Sequence, residues 1–213
     1  MKRGIATAVL LLGLLPCLFA QTPYTEFKVG VLDPKATREG FLLGLNVGRS
    51  IDESLSWGLE IDYFQRTFRK EEAVRVEEQG QAQVVIKQRK LEFTTRILPI
   101  IAKLNWERQL GNRGPFYLRA SGGLGWELAW NSERNFVEQV NQTRFFNGFG
   151  WQVSGGLGIA ISSSGNFFVD LFYNGGQLRR NQQTSPLGLP TWEELDVSGL
   201  GLKAGVSIVG FGW

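Results

Sequence analysis

Glu60 and Asp62 stand two residues apart, with Arg66 close behind them. Two carboxylates on one face are the minimum equipment for acid–base work on a glycosidic bond. Joined by a cation, they could instead line an ion path. Little other catalytic chemistry is open to this chain. It has no His, and its single Cys, Cys17, lies in an apolar run near the start. A Ser-His-Asp or Cys-His catalyst cannot be assembled from such a set, and the usual zinc sites are excluded on the same grounds. Gly122-Gly123-Leu124-Gly125 and Gly155-Gly156-Leu157-Gly158 have the look of phosphate loops. Neither is followed by Lys-Ser/Thr or set between a strand and a helix, so small residues on a crowded wall are the better reading.

What must position Glu60 and Asp62 is a strand, because they alternate with Leu59, Ile61 and Tyr63. The clearest case of this pattern is Phe116 to Trp130. Its even positions read Phe, Leu, Ala, Gly, Leu, Trp, Leu, Trp, and its odd positions are polar, small or charged. Period-two alternation over that length, with aromatics at both ends of the apolar face, suits a strand that crosses a membrane with its apolar side to lipid. Eight such strands are expected: Tyr24 to Leu32, Phe41 to Ile51, Leu55 to Arg69, Ile86 to Glu107, Phe116 to Trp130, Phe145 to Ser162, Asn166 to Gln177 and Glu194 to Trp213. The predicted fold class is all-β, an eight-stranded antiparallel up-and-down transmembrane β-barrel.

The connections support that order. Asp52-Glu53-Ser54, Arg108 to Gly114 and Ser163-Ser164-Gly165 are short and rich in turn residues, whereas Asp33 to Gly40, Lys70 to Val85, Asn131 to Arg144 and Leu178 to Glu193 are longer or more polar. Short turns at one end and long loops at the other are the pattern of outer-membrane barrels. Two strands change phase, after Leu98-Pro99 and before Phe211. A β-bulge at Pro99, which has no amide to donate, and another near Gly210 would restore the alternation.

The polar face predicts the interior. It carries Lys28, Arg66, Arg96, Lys103, Arg119 and Lys203 against Glu26, Glu60, Asp62, Glu92, Glu127 and Asp170. An eight-stranded barrel is just wide enough to be filled by side chains, and buried charges need partners. A closed, salt-bridged lumen follows, with a path for small solutes as the alternative. Trp57, Trp106, Phe116, Phe211 and Trp213 fall at one set of strand ends, and Trp126, Trp130 and Trp151, with Phe146, Phe149 and Tyr173, fall toward the other. Amphipathic rings settle at membrane interfaces.

Lys2 and Arg3 precede an apolar run from Ile5 to Ala20. Residues 1–20 are read as a signal peptide and 21–213 as the barrel domain. The full chain carries a net charge of +3; without Lys2 and Arg3 it falls to +1, which gives no reason to expect nucleic acid as a partner. No cofactor or metal is expected.

Gly58-Leu59-Glu60-Ile61-Asp62-Tyr63, Leu98-Pro99-Ile100-Ile101-Ala102-Lys103-Leu104 and Ala120-Ser121-Gly122-Gly123-Leu124-Gly125 resemble the bacterial outer-membrane β-barrel domain family, porin-like and similar in architecture to small OmpA/OmpX-type barrels. The closing Phe211-Gly212-Trp213 looks like the insertion signal of that class. The resemblance implies an outer-membrane location in a Gram-negative cell envelope, outer-membrane lipid around the wall, and the barrel-assembly machinery as a partner during insertion. It carries no shared catalytic residues, so the chain is expected not to be an enzyme. Its role would be envelope structure or surface interaction through the external loops, with a surface or periplasmic protein as a further partner. A soluble lipocalin-like barrel, apolar face inward around a ligand, is the remaining alternative.

Overall fold

A computed structural model of the chain describes residues 22–79, 82–111, 114–181 and 192–211, and the side chains of these except 72–89 and 181. The expected signal peptide and Trp213 lie outside the described residues. Among the described residues, nine strands follow one another: β1 (Pro23–Pro34), β2 (Gly40–Ser50), β3 (Leu55–Gln79), β4 (Ala82–Gln109), β5 (Phe116–Asn135), β6 (Val140–Ala160), β7 (Gly165–Asn181), β8 (Trp192–Asp196) and β9 (Gly199–Val209). Each of β1 to β7 pairs antiparallel with the next. β9 then lies between β7 and β1, closing the ring. The barrel therefore has eight staves, since β8 pairs only with the far end of β7.

Following hydrogen-bonded partners once round shows the stagger. Asn166 leads to Ser207, Glu26, Asn46, Glu60, Ile101, Gly125, Gly150 and back to β7 at Gly176, ten residues further along. With eight strands, that shear tilts the strands about 40° from the axis. Each residue then rises about 2.5 Å along the axis, so a lipid core's apolar band needs about ten residues per strand.

The alternation sorts the two surfaces. Phe27, Val29, Leu43, Leu59, Leu104, Leu118, Leu124, Phe149, Leu157, Leu171 and Leu202 face outward and are exposed. The alternate positions Lys28, Asn46, Glu60, Lys103, Arg119, Gln152, Asp170 and Lys203 face inward and are buried. A wall that is apolar on the outside and polar within is the inverse of a soluble barrel, and is stable only against lipid.

Two expectations are corrected. No bulge interrupts β4 at Pro99: Ile61–Ile100 and Phe64–Ile97 share one register, and β4 pairs with β5 without a shift through Pro99. The apparent change of phase has another cause. Ile97 and Ile101 point inward with the polar set and are fully buried, so the interior is itself apolar in places. At the chain end, the last ladder pair is Tyr24–Val209, and Gly210 takes φ +83° with its amide on Pro23 O at 2.8 Å, the left-handed glycine a bulge there calls for. Lastly, the expected loops Lys70 to Val85 and Asn131 to Arg144 are mostly ladder. β3 and β4 pair out to Gln79–Ala82, with register shifts at Lys70/Glu71 and Ala73/Arg75, and β5 and β6 pair out to Asn135–Val140. Two hairpin arms thus rise from one end of the barrel. Among the described residues, the opposite end has short turns, such as the one in which Asp52 Oδ1 accepts the Ser54 and Leu55 amides at 2.7 Å each.

The final stave is broken as well. Val197 and Ser198 separate β8 from β9. The Val197 amide bonds Gly176 O at 3.0 Å, and the Val197 side chain is fully buried. There it joins Leu32, Leu42, Phe64, Ile97, Ala129, Phe146, Phe172 and Leu178 in one apolar cluster inside the barrel toward the long arms. Phe146, expected among the interface aromatics, belongs to this plug.

Candidate functional site

The interior below the plug is organised around Glu60. Its strand, β3, presents it inward because Leu59 and Ile61 take the outer face. Lys28 from β1, Lys103 from β4 and Lys203 from β9 all converge on its carboxylate. Lys103 Nζ is 3.1 and 3.0 Å from the two oxygens, and Lys203 Nζ is 2.7 Å from Oε1. Lys203 also bonds Asp62, and Lys28 also pairs with Glu26 at 2.8 Å. Gln152 completes the group, its Oε1 accepting from Lys103 at 2.7 Å and from Lys203 at 3.2 Å.

A second centre lies on Arg119 of β5. Its guanidinium is 2.7 Å from Glu26 and 3.6 Å from Asp170, with Glu107 at 3.5 Å. It also lies over the Phe168 ring, 3.6 Å from the centroid. Lys203 sits over Phe172 at 4.2 Å. Aromatic faces stabilise cations most where water is absent, which explains why β7 carries Phe168 and Phe172 on its inward face. Toward the short turns, a neutral layer follows: Asn105 Nδ2 donates to Tyr24 OH at 2.7 Å, and Asn46 Nδ2 to Glu26 at 3.0 Å.

Charge bookkeeping leaves one residue over. Lys28, Lys103, Arg119 and Lys203 face Glu26, Glu60, Asp62 and Asp170. Glu127 is also fully buried, and among the described residues neither of its oxygens has a hydrogen-bond partner. It fits only because Gly150 and Gly176 flank it, and a methyl group at either would collide with the carboxylate.

Three of the sequence-predicted lumen residues lie elsewhere. Arg96 is exposed on the outer wall, opposite Gln65 and Trp130 at the edge of the apolar belt. The unbroken phase of β4 puts even positions outward there, and a long guanidinium stem can lie along apolar wall with its head in water. Glu92 pairs with Arg69 at 3.2 Å on the β3–β4 arm. Arg66 is half-buried above the plug, in the mouth of the barrel. Glu26, read from the sequence on the polar face, is buried inside with Asn46, Gln152, Phe168 and Phe172, and an aromatic on the polar parity of β7 was the one sequence signal for the two phenylalanines.

Among the aromatics, Trp57, Trp106 and Phe116 are exposed near the short turns, and Phe211 is exposed beyond Gly210. Trp126 and Trp151 are exposed in the other half of the wall. Trp130 packs on Phe145 and Trp151 on Tyr173, each pair 5.4 Å between ring centroids. The glycine runs prove structural: Gly156 lies against Asp170, and Gly158 against the Tyr117 ring.

Comparison with solved structures matches this architecture. A major outer membrane protein from Thermus thermophilus aligns with TM-score 0.57 at 10% identity, over 89% of this chain and 99% of that one. Neisserial surface protein A aligns with TM-score 0.52 at 12% identity, over 88% of this chain and 96% of that one. The fold is that of the small outer-membrane β-barrels. No family model matches the sequence, and no curated protein does. Likeness at such identity reaches the fold, and leaves the activity to be argued from this chain's own interior and arms.

Proposed function

We propose that the chain is an integral outer-membrane barrel with a closed lumen. It acts in envelope structure or in surface interaction through its long-arm end, with the short turns on the periplasmic side. The observation that supports closure is the convergence of three lysines from three strands on Glu60, directly beneath an apolar plug. Side chains that span the bore leave no continuous aqueous path, and a pore needs an unfilled interior. We read the chain as non-enzymatic, since it offers no His and Glu60 and Asp62 are both held by lysines. Its surroundings are outer-membrane lipid, and insertion would use the barrel-assembly machinery.

Two measurements test this reading. Detergent-extracted protein should migrate differently on a mild SDS gel before and after boiling. The same protein inserted in a planar bilayer should be electrically silent. Steady single-channel conductance would replace this reading with that of a narrow solute pore.

A further inference from the structure

Above the plug, the arms and the β1–β2 turn enclose a cleft of about 440 Å³. Lys35, Ala36, Thr37 and Arg38 form one side. Arg66, Phe68, Phe93, Thr95 and Asn131, from β3, β4 and β5, form the other. Three of these residues are cations and none is a carboxylate. Lys35 is partly occupied, 3.4 Å from Asp196. Among the described residues, no ion pair engages Arg38 or Arg66. Arg38 stacks over Phe68 at 5.9 Å, which fixes its fork at the rim. Thr95 and Asn131 add neutral polar side chains to that wall.

These features specify a ligand by chemistry. Paired guanidinium groups bind an oxyanion in bidentate fashion. The two Phe rings offer a face to C–H groups rather than to water. Thr95 and Asn131 can exchange hydrogen bonds with the hydroxyls of a ligand. The volume suits one small ring compound with its substituent. We propose that this cleft binds a phosphorylated sugar, its phosphate between Arg38 and Arg66, its ring against Phe68 and Phe93, and its hydroxyls toward the Thr95 and Asn131 side. The proposal deepens, and rests on, the reading of the long-arm end as the end that meets ligands.

The test uses the full chain in polyoxyethylene-detergent micelles, which contain neither phosphate nor sugar. Glucose 6-phosphate, glucose and inorganic phosphate are titrated by ligand-observed NMR. Glucose 6-phosphate should bind at least tenfold more tightly than either of the others. The double variant R38A/R66A should weaken it tenfold or more, and Asn131→Leu severalfold. Arg96→Ala, which removes a cation from the outer wall, should leave it unchanged. The milder variant Arg66→Lys preserves charge and guards against misfolding, and it should still weaken binding because the bidentate fork is lost. Equal binding of phosphate and glucose 6-phosphate, or equal loss in Arg96→Ala, would overturn the proposal. Nanodiscs of phosphatidylglycerol separate the sources of the phosphate. Unchanged affinity there assigns the cleft to ligands from outside the bilayer, and competition assigns it to phosphorylated headgroups. A barrel that conducts yet binds glucose 6-phosphate would overturn only the closed lumen, and a silent barrel that fails to bind it would overturn only the cleft.

Discussion

Lys203 Nζ of β9 lies 2.7 Å from Glu60 Oε1 of β3, although β1 and β2 stand between those strands in the wall. Only a bond across the bore can join them. Lys28 and Lys103 meet the same carboxylate, so Glu60 ties four staves together. Replacing it with Gln leaves three buried ammonium groups short of charge. Removing one partner from a buried ion pair costs about 3–5 kcal/mol. Glu60→Gln should lose about that much in reversible unfolding in detergent, followed by Trp fluorescence. A loss under about 1 kcal/mol would mean that water, rather than Glu60, solvates those lysines.

Glu127 is the contrasting case. It is as buried as Glu60 but, among the described residues, no ion pair engages it, so Glu127→Gln removes a charge without stranding another. Its unfolding free energy should stay within about 1 kcal/mol of the parent, or rise. A loss comparable to that of Glu60→Gln would reveal a buried donor or ion on Glu127.

Leu124 is exposed in the middle of the wall, and Leu118, Ala120, Trp126 and Leu128 share its face of β5. On a soluble barrel, Leu124→Arg would be harmless. Against lipid, an Arg at mid-belt costs about 2–4 kcal/mol, so the variant should insert into vesicles poorly and lose its heat-modifiable band. Normal insertion would mean that lipid does not cover this face.

Asp196 provides a dependence on pH at the join of β8 and β9. Its Oδ1 accepts the Ser198 amide at 3.0 Å, and its other oxygen faces Lys35 at 3.4 Å. Hydrogen bonding from Ser198, helped by Lys35, holds its carboxyl below the ordinary carboxylate value. A carboxylate lowered on folding stabilises the structure above its unfolded pKa of about 4, and that contribution is lost as pH falls through the lowered value. The Ser198 amide resonance should therefore hold steady from pH 7 to 5 and move only in more acidic solution. In Asp196→Ala, that movement should vanish. A midpoint above pH 4 would contradict this geometry.

Much of the fold was legible in the chain. Alternation in Phe116 to Trp130, Phe41 to Val47 and Leu55 to Tyr63 identified strands and gave each residue its side, because a strand's side chains alternate strictly. Absent His left no common catalyst, and turn residues separated the short-turn end from the long one. Sequence determined which residues share a face. Tertiary structure alone decided what that face meets. Ile97 looked out of phase until Phe64, its ladder partner on β3, and Phe172, on the distant strand β7, showed an apolar plug. Arg96 looked like a lumen charge until the ladder through Pro99 proved unbroken. Glu60 meets Lys203, 143 residues away, because a ring of eight staggered strands closes with one particular shear. That shear sets the height at which each inward side chain meets those opposite, and it depends on all eight pairings at once, which no single strand records.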